Sequence, residues 1–196
     1  MIDLKSGVRR AAATLLAAGT IVSCDRRPID ATAALPAVGT QIPEFDLPTI
    51  GVTNRITPGQ FRGAPAVVAL WSTHCPFQGP AMAAFDSLAR TFASRGVHFV
   101  LLADDRGGHV LDSTLATASW RSAPTMVGVA NGTLTKLFDH SRTAPSDDQY
   151  RIEFVLPSFL LVDGNGRIVR RAFGAARETF QPALDSLVAL AASPET

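Results

Sequence analysis

The sequence predicts an α/β domain in which helices flank a central mixed β-sheet. Two short apolar runs, at residues 66–71 and 97–103, are typical of strands buried on both faces. The segment between them has the apolar spacing of a helix, which indicates two parallel strands joined by a helical crossover. Two further strands are predicted at 159–162 and 168–173, on either side of the Asp-Gly-Asn-Gly segment at 163–166. That segment favours a tight turn, so these two strands are predicted to form an antiparallel hairpin.

The remaining elements follow from the same patterns. The helix after the first strand has apolar residues at three- and four-residue steps from Met82 to Phe92. It is predicted to end at Gly96, because glycine readily takes the left-handed conformation at a helix C-terminus. A final helix is predicted from the apolar stripe between Phe180 and Ala191. The segment between the two helices also contains a weak helical pattern at 110–118, a strand at 125–129, a helical turn at 134–138 and an exposed loop at 141–149.

Length and composition fit one folded domain with a short appendage. The chain has 196 residues, of which 46% are hydrophobic and 18% charged, so a wholly disordered chain is excluded. The net charge is +1 and the basic residues are dispersed, which argues against nucleic acid as a partner. Two cysteines cannot build a disulfide-dense scaffold, and the four histidines lack zinc-site spacing. We expect no metal and no cofactor, and we expect Asp104 and Asp105 to be solvated.

The first 23 residues are predicted to be a signal peptide of the lipoprotein type. A basic start that includes Arg9 and Arg10 precedes an uncharged, mostly apolar stretch at 11–23. This order is typical of a secretory signal. The stretch ends in Ile-Val-Ser-Cys at Cys24, which resembles the lipobox of bacterial lipoproteins and implies cleavage before Cys24 and lipid on its thiol. A signal peptide with an unmodified cysteine and a buried N-terminal helix are the alternatives.

Residues 24–38 are predicted to be a lipid-anchored tether, and residues 39–194 to be the folded domain. The tether is rich in alanine, contains Pro28 and Pro36, and shows no helical face. A near-neutral domain does not bind anionic lipid by itself, so attachment would depend on the acyl chains. We therefore expect the protein to be extracytoplasmic, on the periplasmic face of a bacterial membrane.

Cys75 is the candidate reactive residue. It stands where the first buried strand ends and the long helix begins, and Pro76 fits the first helical turn, where a missing N–H costs nothing. The unpaired N–H groups and the dipole at a helix N-terminus favour a thiolate, which is the nucleophile. His74 could lower the pKa of the thiol further or act as a base. A buried structural cysteine and a solvated histidine are the alternatives.

The segment around Cys75 resembles the active site of thioredoxin-like proteins, and in particular of TlpA-like disulfide reductases and the related AhpC/TSA redoxin group. It reads Trp-Ser-Thr-His-Cys-Pro-Phe-Gln from Trp71 to Gln78, where the family usually has Trp-x-x-Trp-Cys-Pro-x-Cys. Other segments resemble the family's entry segment, its approach to the first strand, and its proline strand with the hairpin that follows. The resemblance covers about residues 38–193 and implies a thioredoxin-like fold with an N-terminal β-hairpin extension.

This resemblance also implies the roles of individual residues. Cys75 would be catalytic. The residues that support it would be Trp71, His74, Pro76 and Gln78. Pro157 would be cis and lie beside Cys75, and the backbone of Leu156 would pair with a bound substrate chain. Gln78 replaces the family's second cysteine, whose thiol would otherwise attack the mixed disulfide and release the product.

Three functions remain open from the sequence. The first is single-thiol exchange by Cys75 with protein thiols or disulfides, resolved by an external thiol reductant. The second is a one-cysteine peroxidase, because Ser72-x-x-Cys75 matches part of the peroxiredoxin signature, although the signature's proline position is Val68. The third is a non-catalytic module that binds a partner along the strand at Leu156 and Pro157.

Overall fold

The computed structural model describes residues 35–50, 54–73, 78–104, 113–114, 126–130, 133–138, 156–174 and 176–191. In chain order the elements are β1 (Leu47–Pro48), β2 (Arg55–Ile56), β3 (Ala66–Trp71), α1 (Gln78–Phe92), β4 (His98–Ala103), β5 (Met126–Val129), α2 (Leu134–Phe138), β6 (Ser158–Val162), β7 (Ile168–Phe173) and α3 (Ala176–Ala191). Short 3-10 turns are found at Pro58–Phe61 and Ala93–Arg95. Within these ranges no helix has the length and apolarity needed to cross a membrane.

The centre of the fold is a mixed sheet with the strand order β5-β4-β3-β6-β7. β3 and β4 run parallel, from the pair Ala66 and His98 to the pair Trp71 and Ala103, and β5 runs parallel to β4. β6 is antiparallel to both β3 and β7. The predicted fold class is therefore confirmed, including the parallel pair, the helical crossover and the antiparallel hairpin.

Every side chain of β3 is buried, because both faces of the sheet are covered. Successive side chains of a strand point to opposite faces. Val67, Ala69 and Trp71 therefore pack on one face with α1 and α3, in what we call the α1-side core. The other face packs with β1, β2 and α2, in what we call the hairpin-side core.

The two long helices follow their predicted apolar stripes. On α1 the residues from Met82 to Phe92 that recur at helical spacing are buried, and on α3 Phe180 and Leu184 are buried. The α-helical part of the first helix ends at Phe92, where a 3-10 turn over residues 93–95 takes over. Gly96 follows with a left-handed φ of 82°, as its position predicts.

The segment before β3 reaches both edges of the sheet. Its strands β1 and β2 form the predicted antiparallel hairpin, and the N–H of Ile50 donates to the carbonyl of Val127 in β5 over 3.3 Å. At the opposite edge, the N–H of Gly39 donates to the carbonyl of Ile168 in β7 over 2.7 Å. These contacts cover strand edges that would otherwise be open to another chain. They begin before residue 39, because Leu35 is only 2% exposed and lies in the hairpin-side core.

Three strand boundaries differ by one residue from the sequence prediction. Val97 does not enter β4, because its N–H donates to the carbonyl of Phe92 in the preceding turn. Ser158 does enter β6, since it pairs with Leu70 on one side and Phe173 on the other. β5 begins at Met126 rather than 125.

The helical turn at Leu134–Phe138 is confirmed. Of the weak helix at 110–118, only 113–114 are described, as helical, and the signal peptide and the loop at 141–149 lie outside the described residues.

Candidate active site

The candidate site lies at the edge of the sheet that is formed by strand ends, where the inner strand β3 ends and its neighbour β6 begins. The antiparallel register pairs Leu70 with Ser158, so the next positions along the two segments are Trp71 and Pro157. Trp71 is fully buried and belongs to the α1-side core. Two of the residues that the sequence placed in one site, Trp71 and Pro157, are thus brought to the same edge of the sheet.

The proline segment has the conformation that the family resemblance implied. The peptide bond between Leu156 and Pro157 is cis. Pro157 is buried, whereas Leu156 is half-buried and packs against the hairpin-side core. Ser158, the first residue of β6, is fully buried. Two residues before Ser158, Leu156 is therefore level with the residues that directly follow β3.

The residues predicted to do the chemistry are only partly described. His74, Cys75, Pro76 and Cys24 lie outside the described residues. Gln78 is the first residue of α1, but its side chain is also not described. Along the chain, Cys75 falls between Thr73, just after β3, and Gln78, where α1 starts. Its catalytic role stays a prediction.

Asp104 is a residue at this edge that the sequence analysis treated as solvated. It directly follows β4 and is half-buried. Its N–H donates to the carbonyl of Trp71 over 2.8 Å, and its Oδ1 accepts from the N–H of Leu134, the first residue of α2, over 3.4 Å. The sequence could have indicated this position, because Asp104 directly follows a buried strand predicted to be parallel and adjacent to β3.

Asp86 is a second acidic residue that the sequence analysis did not single out. It lies on α1 and is only 3% exposed. Its carboxylate accepts a hydrogen bond from Arg90, one helical turn later. The positive charge of Arg90 compensates the buried negative charge of Asp86, because a buried charge without a partner is strongly destabilising. In the described ranges, no group of three His, Cys, Asp or Glu side chains could hold a metal ion.

Comparisons with known proteins agree with this geometry. A model of the AhpC/TSA family matches residues 38–171. The thioredoxin domain of a thiol-disulfide oxidoreductase from Bacteroides vulgatus superposes with a TM-score of 0.60 at 15% identity, covering 76% of this chain and 99% of that one. A thioredoxin-family thiol:disulfide interchange protein from Chlorobium tepidum TLS gives 0.59 at 19% identity, with 78% and 99% covered.

A thiol:disulfide interchange protein from a Bacteroides species is also similar, with a TM-score of 0.58 at 15% identity and with 78% of this chain and 91% of that one covered. Likenesses at this identity establish the thioredoxin-like fold. No curated protein sequence matches the chain at a significant level.

Proposed function

Because the chain belongs to the AhpC/TSA family, we propose that it is a thiol-disulfide oxidoreductase that works through one cysteine, Cys75. The observation that carries this proposal is that the Leu156–Pro157 segment, with its cis peptide bond, lies beside the end of β3. The pairing of Leu70 with Ser158 sets this arrangement. Cys75 stands in the chain between this edge and the first residue of α1, where a thiol is activated by helix N–H groups and the helix dipole.

The proposed reaction has two exchange steps. First, the Cys75 thiolate attacks one sulfur of a substrate disulfide; the S–S bond breaks, and the other sulfur leaves as a thiolate that takes a proton from water. A thiolate from an external reductant then attacks the substrate sulfur or the Cys75 sulfur of the mixed disulfide. Attack at the substrate sulfur releases the Cys75 thiolate and leaves the substrate in a mixed disulfide with the reductant. Attack at the Cys75 sulfur instead releases the substrate as a thiol and leaves Cys75 in a mixed disulfide with the reductant, from which a second reductant thiol frees Cys75 as the reductant becomes a disulfide. Gln78 has no thiol and cannot perform this resolution, and the chain's other cysteine, Cys24, is predicted to carry lipid, so in this proposal the reductant comes from outside the chain.

The other predicted residues have supporting roles in this proposal. The backbone of Leu156 is the place where a substrate chain would pair, since it continues β6 beyond the end of β3. Trp71, fully buried in the α1-side core, anchors the end of β3 four residues before Cys75 in the sequence. In this proposal His74 would adjust the ionisation of the thiol, and Pro76, two residues before the first residue of α1, would cost no hydrogen bond there.

The test compares Cys75→Ser with the unchanged thiol in the full chain carrying Cys24→Ser, which leaves Cys75 as the only cysteine. We expect the parent chain to exchange with a disulfide reporter in the presence of a small thiol, and Cys75→Ser to fall to the uncatalysed rate. The rate of Cys75 alkylation against pH should have a midpoint in the range of roughly 3.5–7.5 rather than near ~8.5. Equal exchange rates in the two chains would refute the proposal.

The family assignment also favours a second candidate, a one-cysteine peroxidase. In that reaction the Cys75 thiolate attacks a peroxide oxygen, the O–O bond breaks, an alcohol or water leaves, and a sulfenic acid remains that two external thiols reduce. Rapid consumption of about one peroxide per Cys75 would favour this function. If neither reaction exceeds that of free cysteine while partner binding persists in Cys75→Ala, a binding module along Leu156 and Pro157 takes precedence.

We also propose that the protein is extracytoplasmic and anchored to a bacterial membrane by lipid on Cys24. The signal-like pattern of residues 1–23 and the lipobox resemblance support this location. In an oxidising compartment, protein disulfides are available as substrates.

A further inference from the structure

The turn between β6 and β7 contains an asparagine followed by a glycine, Asn165 and Gly166. It lies at the opposite end of β6 from Pro157, away from the candidate active site. Asn165 is exposed, and within the described ranges its side-chain amide has no hydrogen-bond partner. Because glycine has no side chain, nothing at Gly166 hinders the approach of its backbone nitrogen to that amide. The pair is therefore chemically suited to react.

The reaction available to this pair is deamidation. The backbone nitrogen of Gly166 attacks Cγ of Asn165; an N–C bond forms, the bond from Cγ to Nδ2 breaks, and ammonia leaves with the proton of the Gly166 N–H. The product is a succinimide ring. Water then opens the ring at either carbonyl, which leaves aspartate or isoaspartate. The net change is hydrolysis of an amide to a carboxylate and ammonium, so the chain gains a negative charge.

The folded turn holds Gly166 in a conformation that opposes this reaction. Its N–H donates to the carbonyl of Asp163 over 3.0 Å, so Asn165 is the third residue of a β-turn, a position where ψ is about 0°. Ring closure requires the Gly166 nitrogen to be in line with Cβ of Asn165, which is a very different value of ψ. The peptide between Asn165 and Gly166 must therefore rotate, and the hydrogen bond to Asp163 must break.

The edge segment, residues 35–42, fixes the same peptide from outside the turn. Gly166 is buried, and its carbonyl accepts from the N–H of Ile42 over 2.9 Å. With its amide nitrogen facing the turn, Gln41 donates to the carbonyls of Gly166 and Asn165 over 3.0 and 3.2 Å. The carbonyl of Asn165 belongs to the peptide that must rotate. The edge segment therefore opposes the rotation directly.

We propose that Asn165 is a deamidation site whose rate is controlled by the edge segment. While the segment lies against the turn, the exposed amide stays intact; when the segment leaves, the peptide rotates and the ring closes. Isoaspartate adds an atom to the backbone of the turn, so the modified turn no longer matches the hydrogen bonds of the edge segment. Release and modification therefore promote each other. This inference goes beyond the proposed function and does not depend on Cys75.

The experiment follows deamidation of Asn165 in the full chain carrying Cys24→Ser, incubated at neutral pH and then digested with trypsin. Mass spectrometry measures the fraction of each peptide that has gained the mass of deamidation. Trypsin leaves Asn165 and Asn131, which precedes the chain's other Asn-Gly pair, in different peptides. We expect Asn165 to react at least about tenfold more slowly in the folded chain than in the chain unfolded by urea, because rotation of the folded peptide breaks several hydrogen bonds.

Gln41→Ala tests the control by the edge segment. Gln41 is exposed, so the substitution removes its hydrogen bonds to the turn and leaves both cores intact. Deamidation of the folded chain should become about 2- to 10-fold faster, the factor that one net hydrogen bond is worth. Gln60→Ala is the matched control. Gln60 is also exposed, and its amide donates to a backbone carbonyl elsewhere, that of Arg55, over 2.8 Å. The rate in this control should equal that of the parent chain.

Each outcome supports or overturns the inference. Equal rates in the folded and the urea-unfolded parent chain would show that the turn gives no protection, and an Asn165 that stays intact in urea would not be a deamidation site. Equal rates in the Gln41 and Gln60 variants would remove the edge segment from the control. Circular dichroism checks that both variants fold. If Gln41→Ala does not fold, Gln41→Glu replaces it, because a carboxylate cannot donate hydrogen bonds to the two carbonyls.

Discussion

Gly128 in β5 has no side chain, and neighbouring side chains occupy the space where one would stand. A Cβ built on Gly128 would lie 2.7 Å from Cγ2 of Ile56 and 3.0 Å from Cδ2 of Leu102. Ile56 belongs to β2 and is fully buried. Glycine in a strand often marks such a close approach of another segment. At this position it lets the N-terminal hairpin pack directly on the sheet.

We therefore predict that Gly128→Ala lowers the free energy of unfolding by about 1–3 kcal/mol, because the added methyl overpacks the hairpin-side core. The measurement is denaturant unfolding with linear extrapolation. Gly79→Ala is the control: Gly79 is exposed on α1, and no heavy atom lies within 4 Å of its built Cβ. It should be neutral or stabilising by up to about 1 kcal/mol. Equal stability of the two variants would contradict the packing argument.

At the residue scale, the sequence predicted positions that a family pattern marks and missed those that depend on distant contacts. Trp71 and the cis bond before Pro157 came from the resemblance, and the structure places both at one edge of the sheet. The contact of Asp104 with the N–H of Leu134 was not predicted, because Leu134 is 30 residues away in the chain. Asp86 was missed because burial of one acid on a helix depends on what packs over it. Cys75 itself remains a prediction.

At the scale of elements, apolar patterns located the strands of the central sheet and the two long helices. Most of those strands are short apolar runs, although β7 contains Arg170 and Arg171, and the helices carry clear stripes. The strands β1 and β2 have two residues each, too few for a periodic pattern. Only the family resemblance predicted this hairpin. The shift at Val97 arises from a local hydrogen bond to Phe92, and the shift at Ser158 arises from its pairing with Leu70 and Phe173; periodicity reports neither.

The edge segment, residues 35–42, is an element that the sequence analysis divided between tether and domain. The N–H of Ile42 donates to the carbonyl of Gly166 over 2.9 Å. Two arginine side chains of the β6–β7 hairpin also hydrogen-bond to this segment. Nη1 of Arg167 donates to the carbonyl of Gly39 over 2.9 Å, and Nη1 of Arg171 donates to the carbonyl of Leu35 over 3.1 Å. Leu35 is thus fixed by packing and by a hydrogen bond.

These contacts predict that a chain beginning at residue 39 is less stable than one beginning at residue 35. The loss should be about 2–4 kcal/mol, from the burial of Leu35 and the hydrogen bond that Arg171 makes to its carbonyl. Urea unfolding of the two chains measures the difference. A third chain, beginning at residue 25, controls for the effect of the preceding residues and should match the one beginning at 35. Equal stability of the chains from 35 and 39 would show that the domain boundary lies at residue 39.

At the scale of the whole molecule, the sheet separates two cores and carries the candidate site at one end. The α1-side core and the hairpin-side core cover its faces. The chain approaches this body at Leu35, on the β7 side of the sheet, where Arg171 holds it. Cys24 precedes Leu35 by 11 residues, which span at most about 40 Å when fully extended. A lipid on Cys24 would therefore keep the domain within about one domain diameter of the membrane.

The proposed anchor predicts where the protein is found in cells. Cys24→Ser removes the only thiol that the lipobox resemblance marks for lipid, so the full chain should leave the membrane fraction. Acyl chains would supply the attachment, and each buried methylene contributes about 0.8 kcal/mol. Fractionation of bacteria that express the chain, together with the mass of the N-terminal peptide, measures the effect. Ser23→Ala, which introduces a residue usual before the lipobox cysteine, is the matched control and should remain with the membrane. If Cys24→Ser stays there in equal amount and the N-terminal peptide carries no lipid mass, another part of the chain makes the attachment and the lipid proposal is wrong.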